Sequence, residues 1–179
     1  MNPITTQTSM PIDVSEKSIF SNVEKFQQVQ FMAEFLSQSD LVPKDYQKKP
    51  ANVLIALSMA ERMKADPMMV MRNLYVIHGR PSWSSQFLIA CANSCGRFSS
   101  LQYEFSGTVN ADDWSCFAYA TELSTNQVVK GPTVSIAMAK AEGWHGKNGS
   151  KWKTLPELML TYRAAAFFIR TKAPEVSMG

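Results

Sequence analysis

Trp114-Ser115-Cys116-Phe117-Ala118-Tyr119-Ala120-Thr121-Glu122, followed by Ser124-Thr125-Asn126 and then Gln127-Val128-Val129-Lys130, decides the fold. Trp114, Cys116, Ala118 and Ala120 alternate with Phe117 and Tyr119, the two-residue period of a strand with one set of side chains on each face. The polar triplet is a turn, so residues 127–130 return as the second arm of a hairpin. Upstream, residues 98–105 alternate in part and predict a third strand. Downstream the period changes. Leu155, Leu158, Met159, Tyr162, Ala166 and Ile169 form a helical stripe, with Phe167 and Phe168 outside it, so the last helix is apolar nearly all round and buried on several sides. Thr154-Leu155-Pro156-Glu157 reads as its capping box.

The remaining segments follow from breakers and caps. Residues 1–18 are rich in Thr, Ser, Gln and Pro and predict a flexible lead. Val23, Phe26, Val29, Phe31, Met32, Phe35 and Leu36 give a first helix over residues 22–37. Pro50 opens a second, with Val53, Leu54, Leu57, Met59, Ala60 and Met63 as its stripe. Asp66-Pro67 caps a short third helix. Residues 74–83 read as a hairpin turning at Gly79-Arg80-Pro81. Ser84 caps a helix stopped by Gly96, and Thr133 begins another to about Glu142. The predicted class is α+β: a small antiparallel β-sheet, hairpin plus three-strand meander, packed against several helices with a long buried C-terminal helix. Residues 19–179 are read as a single domain, long enough for a real core.

Composition narrows the function. Of the 179 residues 45% are apolar and only 18% charged, with eleven Met and ten Phe, a balance that points to surface hidden in an oligomer. The net charge of +3 is uneven. Residues 1–129 hold ten Lys/Arg against twelve Asp/Glu, whereas residues 130–172 hold eight against Glu142 and Glu157 alone. Such a block suits a local anionic partner, or simply a solvated face. Three cysteines (Cys91, Cys95, Cys116) without a secretory signal predict a reducing compartment and buried structural thiols. No apolar run approaches a membrane span, so the expected location is the cytoplasm.

Catalytic patterns are missing. Asp112-Asp113 is the only adjacent carboxylate pair and sits at a predicted turn. Metal-dependent nucleases gather carboxylates from several elements, a spacing not found here. Gly146-Lys147 lacks the glycine and the Ser or Thr of a phosphate-binding loop, and neither His78 nor His145 stands in a triad context.

Residues 143–153, Gly143-Trp144-His145-Gly146-Lys147-Asn148-Gly149-Ser150-Lys151-Trp152-Lys153, read as a mobile loop. Lys147, Lys151 and Lys153 supply charge for phosphates, and Trp144 and Trp152 supply flat faces on which bases stack. The competing reading has both Trp residues anchoring the loop in the core. Arg163 and Arg170, seven apart on one side of the last helix, and Lys172 near its end suit phosphates or internal carboxylates. Arg72 and Arg80 flank the first hairpin, where Arg80 can reach a phosphate; His78 reads as a structural polar group.

Two stretches resemble a known family. Met59-Ala60-Glu61-Arg62-Met63-Lys64-Ala65-Asp66-Pro67, then Leu74-Tyr75-Val76-Ile77-His78-Gly79-Arg80-Pro81 and Ser94-Cys95-Gly96-Arg97, are similar to the early core of RecT/Redβ-like phage single-strand DNA annealing proteins. Ser150-Lys151-Trp152, Glu157-Leu158-Met159, Tyr162-Arg163-Ala164-Ala165-Ala166, Arg170 and Pro174 resemble that family's last helix. Arg163 stands where many members have Lys, and the central strands carry little of the family's positive charge. The likeness spans roughly residues 50–179. Members usually continue into an acidic or helical tail that meets the host single-strand-binding protein.

The resemblance implies ATP-independent binding and annealing of single-stranded DNA by a ring or helical homo-oligomer during phage recombination in the bacterial cytoplasm. Its partners are then single strands and annealed duplex intermediates, with a phage exonuclease and the host single-strand-binding protein as further candidates. No cofactor is expected, except Mg²⁺ in the DNA complex. Two other readings stand beside it. One is a phage-encoded protein-binding module that inhibits a host nucleic-acid enzyme, suggested by the Met and Phe content. The other is a divergent nuclease using Asp112 or Asp113.

Overall fold

The computed structural model describes residues 19–77 and 80–177, except for the side chains of Ile77, Arg80 and Ser177. The chain divides into two compact units between Leu74 and Tyr75, where the sequence reading has one domain. The unit boundary falls at the start of the first hairpin.

The described residues of the first unit form three helices: α1 (Val23–Ser37), α2 (Pro50–Met63) and α3 (Pro67–Asn73). Local chemistry sets their ends. The Asn22 side-chain oxygen accepts from the backbone N–H groups of Glu24 (2.8 Å) and Lys25 (3.3 Å). Pro50 occupies the first turn of α2, and Lys64 ends it in a left-handed conformation. Asp66 caps α3 through the Met69 N–H at 2.8 Å. α1 packs along α2, and Val29, Ala33, Val53, Ala56 and Ala60 are buried on these helices. The Tyr46 hydroxyl, buried, donates to the Leu74 carbonyl at 2.9 Å. The α1 stripe is narrower than its sequence suggests: Phe31 and Phe35 are 72% and 71% exposed.

The second unit is two-layered. β1 (Leu74–Ile77) pairs with β2 (Arg80–Trp83), and α4 (Ser85–Ser94) follows, capped by Ser84 Oγ accepting from the Phe87 N–H at 3.1 Å. The main antiparallel sheet is β3 (Gln102–Ser106), β4 (Ser115–Glu122) and β5 (Gln127–Lys130) in that order, with β6 (Val134–Ser135) also on β4. Then come α5 (Ile136–Ala141), α6 (Lys151–Thr154), α7 (Pro156–Lys172) and a 3-10 turn at Pro174–Ser177.

Packing explains the layers. Cys116, Ala118 and Ala120 are fully buried on one face of β4, and Ala164, Ala165 and Ala166 are buried on α7, which packs on that strand. Small side chains on both elements let the backbones come close. Phe168, buried on α7, meets Phe98 edge-on at 5.5 Å, and Leu88 of α4 joins the same core. Each such large side chain contributes about 1.5–3 kcal/mol by leaving water. The observed class is α+β, with a two-stranded and a four-stranded antiparallel sheet and a long C-terminal helix packed on strands.

Several expectations are corrected. Residues 151–154 form α6, so Thr154 ends that helix instead of capping the next, and α7 begins at Leu155–Pro156 with no side-chain cap. The strand at residues 98–105 is shorter, with Phe98 only bridging to Glu122. Val134–Ser135 forms a strand before α5, which Ser135 caps through the Met138 N–H at 3.0 Å. On α7 the buried line runs through Leu160, Ala164, Ala165, Phe168 and Ile169, leaving Leu155 and Leu158 exposed. Cys116 is buried as expected, but Cys91 is half-buried and Cys95 exposed.

Candidate nucleic-acid interface

The segment between α5 and α7 is a pinned turn, not a free loop. The Trp144 and His145 N–H groups both donate to the Ala139 carbonyl, at 2.9 and 3.1 Å. The backbone turns through positive φ at Gly143 and Gly149. Ser150 then closes it: its hydroxyl donates to the Trp144 carbonyl at 2.7 Å and accepts from the Trp152 N–H at 3.3 Å. Trp152 is 3% exposed and belongs to the core. Its ring therefore offers no face to a base, which corrects the stacking role expected of it. The physical reason is that burying an indole gains more than leaving it on the surface.

Trp144 is half-buried, 5.8 Å from the Trp152 ring and edge-on to Phe167 at 6.5 Å. The guanidinium of Arg163 lies 3.9 Å from the Trp144 centroid and 5.9 Å from that of Phe167. Arg163 thus covers one face of Trp144. Burial, and then the nearby charge of Arg170, hold the Arg163 guanidinium below its ordinary pKa, against a smaller opposing pull from Glu142. Among the described residues no carboxylate pairs with Arg163; an aromatic face compensates its partial desolvation.

Among the described residues the surrounding cations also have no carboxylate partner. Lys147, Lys151 and Lys153 are exposed on the pinned segment, the last two flanking Trp152 on one helical turn. Lys153 borders a groove of about 410 Å³ with His145, Asn110, Thr154 and Pro156. Arg170 and Lys172 are exposed near the end of α7, where the Lys172 carbonyl accepts from Arg97 at 3.4 Å. Of the eight cations between residues 130 and 172, only Lys140 has a carboxylate partner among the described residues: it pairs with Asp112.

The other expected residues lie elsewhere. Arg72 is exposed in the last turn of α3, in the first unit. The backbone of Arg80 begins β2, its side chain is outside the described residues, and so are His78 and Gly79. Asp112 is tied to Lys140, and Asp113 accepts from the Thr108 N–H at 3.2 Å, so both carboxylates hold a turn. No group of three potential metal ligands occurs among the described residues.

Comparison with known proteins returns no match. No family model, curated protein or solved structure is significantly similar to the chain. Among the described residues no helix is long and apolar enough to cross a membrane.

Sequence reasoning missed two cations. Arg97 joins Glu122 (3.0 Å) and Glu175 (2.5 Å) across the end of α7, and so belongs to structure. Lys130 sits 4.9 Å over the Phe117 ring, a pairing legible only once the strand register is known.

Proposed function

We propose that this chain binds single-stranded DNA and promotes annealing of complementary strands without ATP, as an oligomer of the RecT/Redβ-like kind. The observation that carries the reading is the set of cations Lys147, Lys151, Lys153, Arg163, Arg170 and Lys172 on the last third of the chain, none of which has a carboxylate partner among the described residues. Fixed cations hold a strand by its phosphates and leave its bases open, and base pairing itself then supplies the driving energy. No catalytic residue is required, and Mg²⁺ enters only as a counter-ion of the DNA. The proposal places the protein in the bacterial cytoplasm, beside a phage exonuclease and the host single-strand-binding protein.

The test is Lys151→Ala combined with Lys153→Ala. Each phosphate contact contributes about 0.7 to the slope of log affinity against log salt on single strands. The double variant should bind oligo(dT) more weakly and with a slope lower by roughly 1.4. Unchanged affinity and slope would remove these lysines from the interface.

A second reading has its own observation. Phe31, Phe35 and Met32 stand exposed on α1 at 72%, 71% and 47%. Such a face suits a protein partner, and with it a phage-encoded module that inhibits a host nucleic-acid enzyme. A stable complex with such an enzyme, without DNA binding, would favour it.

A further inference from the structure

The main sheet has a second face, away from α7. Burial alternates along β4: Cys116, Ala118 and Ala120 are buried toward the helix, and Phe117, Tyr119 and Thr121 are half-exposed on the other side. Register extends that outer face across the sheet. On β3, Glu104 lies opposite Phe117 and Gln102 opposite Tyr119. On β5, Lys130 lies opposite Tyr119 and Val128 opposite Thr121. Phe117 and Tyr119 stand outside the core cluster that takes in every other partly buried aromatic of the sheet and α7 apart from Tyr162 and the edge residue Phe105. Among the described residues of this unit, α7 is the one helix that packs extensively on β4, and it does so on the inner face.

We propose that this outer face is a stacking platform for the unpaired bases of a single-stranded nucleic acid. It is a contact surface separate from the cations of α6 and α7, and it rests on the strand-binding function proposed above.

Three observations select that occupant. The first is the ring pair. Phe117 and Tyr119 are two apart on the central strand, with centroids 6.0 Å apart. That is nearly twice the 3.4 Å rise per nucleotide of a duplex strand. Neighbouring bases lying on these rings are unstacked from one another, so the strand is held extended. The second is Lys130, which lies opposite Tyr119 in the strand register and whose ammonium sits over the Phe117 ring, 4.9 Å from its centroid, a cation placed at the rings for the phosphate of a strand lying on them. The third is the polar surround. Gln102 and Thr121 donate and accept, and Glu104 accepts amino hydrogens of base edges while repelling phosphates from its own side. A protein-binding centre would be depleted of such charge. Paired aromatics on the open face of a small antiparallel sheet are also a known way of stacking two or three bases.

The α6–α7 cations belong to the helical layer, and the platform is the far side of the sheet in the same unit. One strand therefore meets the lysines, and a separate stretch meets the rings.

The test uses the full chain with Phe117→Leu and Tyr119→Leu together, and fluorescent oligo(dT) and oligo(U) as probes. Loss of both rings should weaken binding at least about tenfold. The salt slope should fall by no more than about 0.7, the one phosphate contact of Lys130, because stacking itself releases no counter-ions. The tighter of the two probes identifies the nucleic acid. An equal urea midpoint confirms that the variant folds. Ultraviolet cross-linking of the unmodified chain to a 4-thiothymidine oligonucleotide gives an independent reading, and the peptide containing Phe117 and Tyr119 should carry the label. A folded double variant with wild-type affinity overturns the platform, as do cross-links confined to residues 142–172. If the lysine variant then still loses affinity, strand binding survives and only the platform falls. If the wild-type chain binds neither probe, both proposals fall.

Discussion

Replacing Arg163 with Met separates the two roles its position allows. The guanidinium lies 3.9 Å from the Trp144 centroid, half-buried and without a carboxylate partner among the described residues. A cation over an aromatic face contributes about 0.5–2 kcal/mol. Met keeps the aliphatic fill and gains a sulfur–aromatic contact of about 0.3–1.5 kcal/mol. It also removes the cost of a partly desolvated charge. These terms nearly cancel, so folding stability should move by less than about 1 kcal/mol. With an m-value of about 1–3 kcal/mol/M, the urea midpoint should shift by less than about 1 M. Binding should respond differently. A hydrogen bond to a charged group contributes about 1.5–3 kcal/mol, and one phosphate contact contributes about 0.7 to the salt slope. Anisotropy titrations of oligo(dT) over a salt series should show a tenfold or larger loss at low salt, by that reckoning, and a slope lower by about 0.7. A folded Arg163→Met chain with wild-type affinity and slope would refute the phosphate role. A large loss of stability would show that the cation, and not the apolar fill around it, pins the segment.

Further predictions concern the frame that holds the site. A Cβ at Gly131 would lie 3.0 Å from Phe168 Cβ and 3.2 Å from the Ala118 carbonyl. Gly131→Ala should therefore push β5 from α7 and destabilise by about 1–3 kcal/mol in urea unfolding. The Tyr103 hydroxyl is buried without a hydrogen-bond partner among the described residues, so Tyr103→Phe should be neutral or stabilising by about 1 kcal/mol. Burial pushes the Tyr103 phenol up to about 12 and the Cys116 thiol up to about 11, each with a smaller push from nearby acidic groups. Both are neutral when protonated and ionise sooner in the unfolded chain. Their contribution is thus complete below the ordinary thiol value of 9.0, and stability falls as pH rises through 9 to 12. Tyr103→Phe should blunt the upper part of that loss in urea midpoints measured from pH 8 to 11.

What was legible in the sequence was local or strictly periodic. Asp66 and Ser84 are read as caps from a side-chain acceptor three residues before the N–H it meets, and both meet it. β4 is read from alternation alone, including which side Phe117 and Tyr119 take. The junction at residues 150–157 misleads because Thr154 and Glu157 satisfy the capping-box spacing, whereas the burial of Trp152 draws residues 151–154 into their own turn. The buried line of α7 is misplaced because a helix apolar nearly all round has no stripe to read; the small residues of β4 select Ala164, Ala165 and Phe168 instead. The stacking of Arg163 on Trp144 joins residues on different elements, and no periodicity announces it. At the site, the sequence names the cations, and the fold decides which of their neighbouring rings stay on the surface.

Annealing by strands held through their phosphates is read in the rate at which two complementary oligonucleotides pair, followed by fluorescence quenching without ATP, with and without the full chain. The wild-type chain should accelerate pairing, Lys151→Ala with Lys153→Ala should slow it toward the protein-free rate, and high salt should abolish the acceleration. Equal rates with and without the chain, or acceleration only when ATP is supplied, would contradict it.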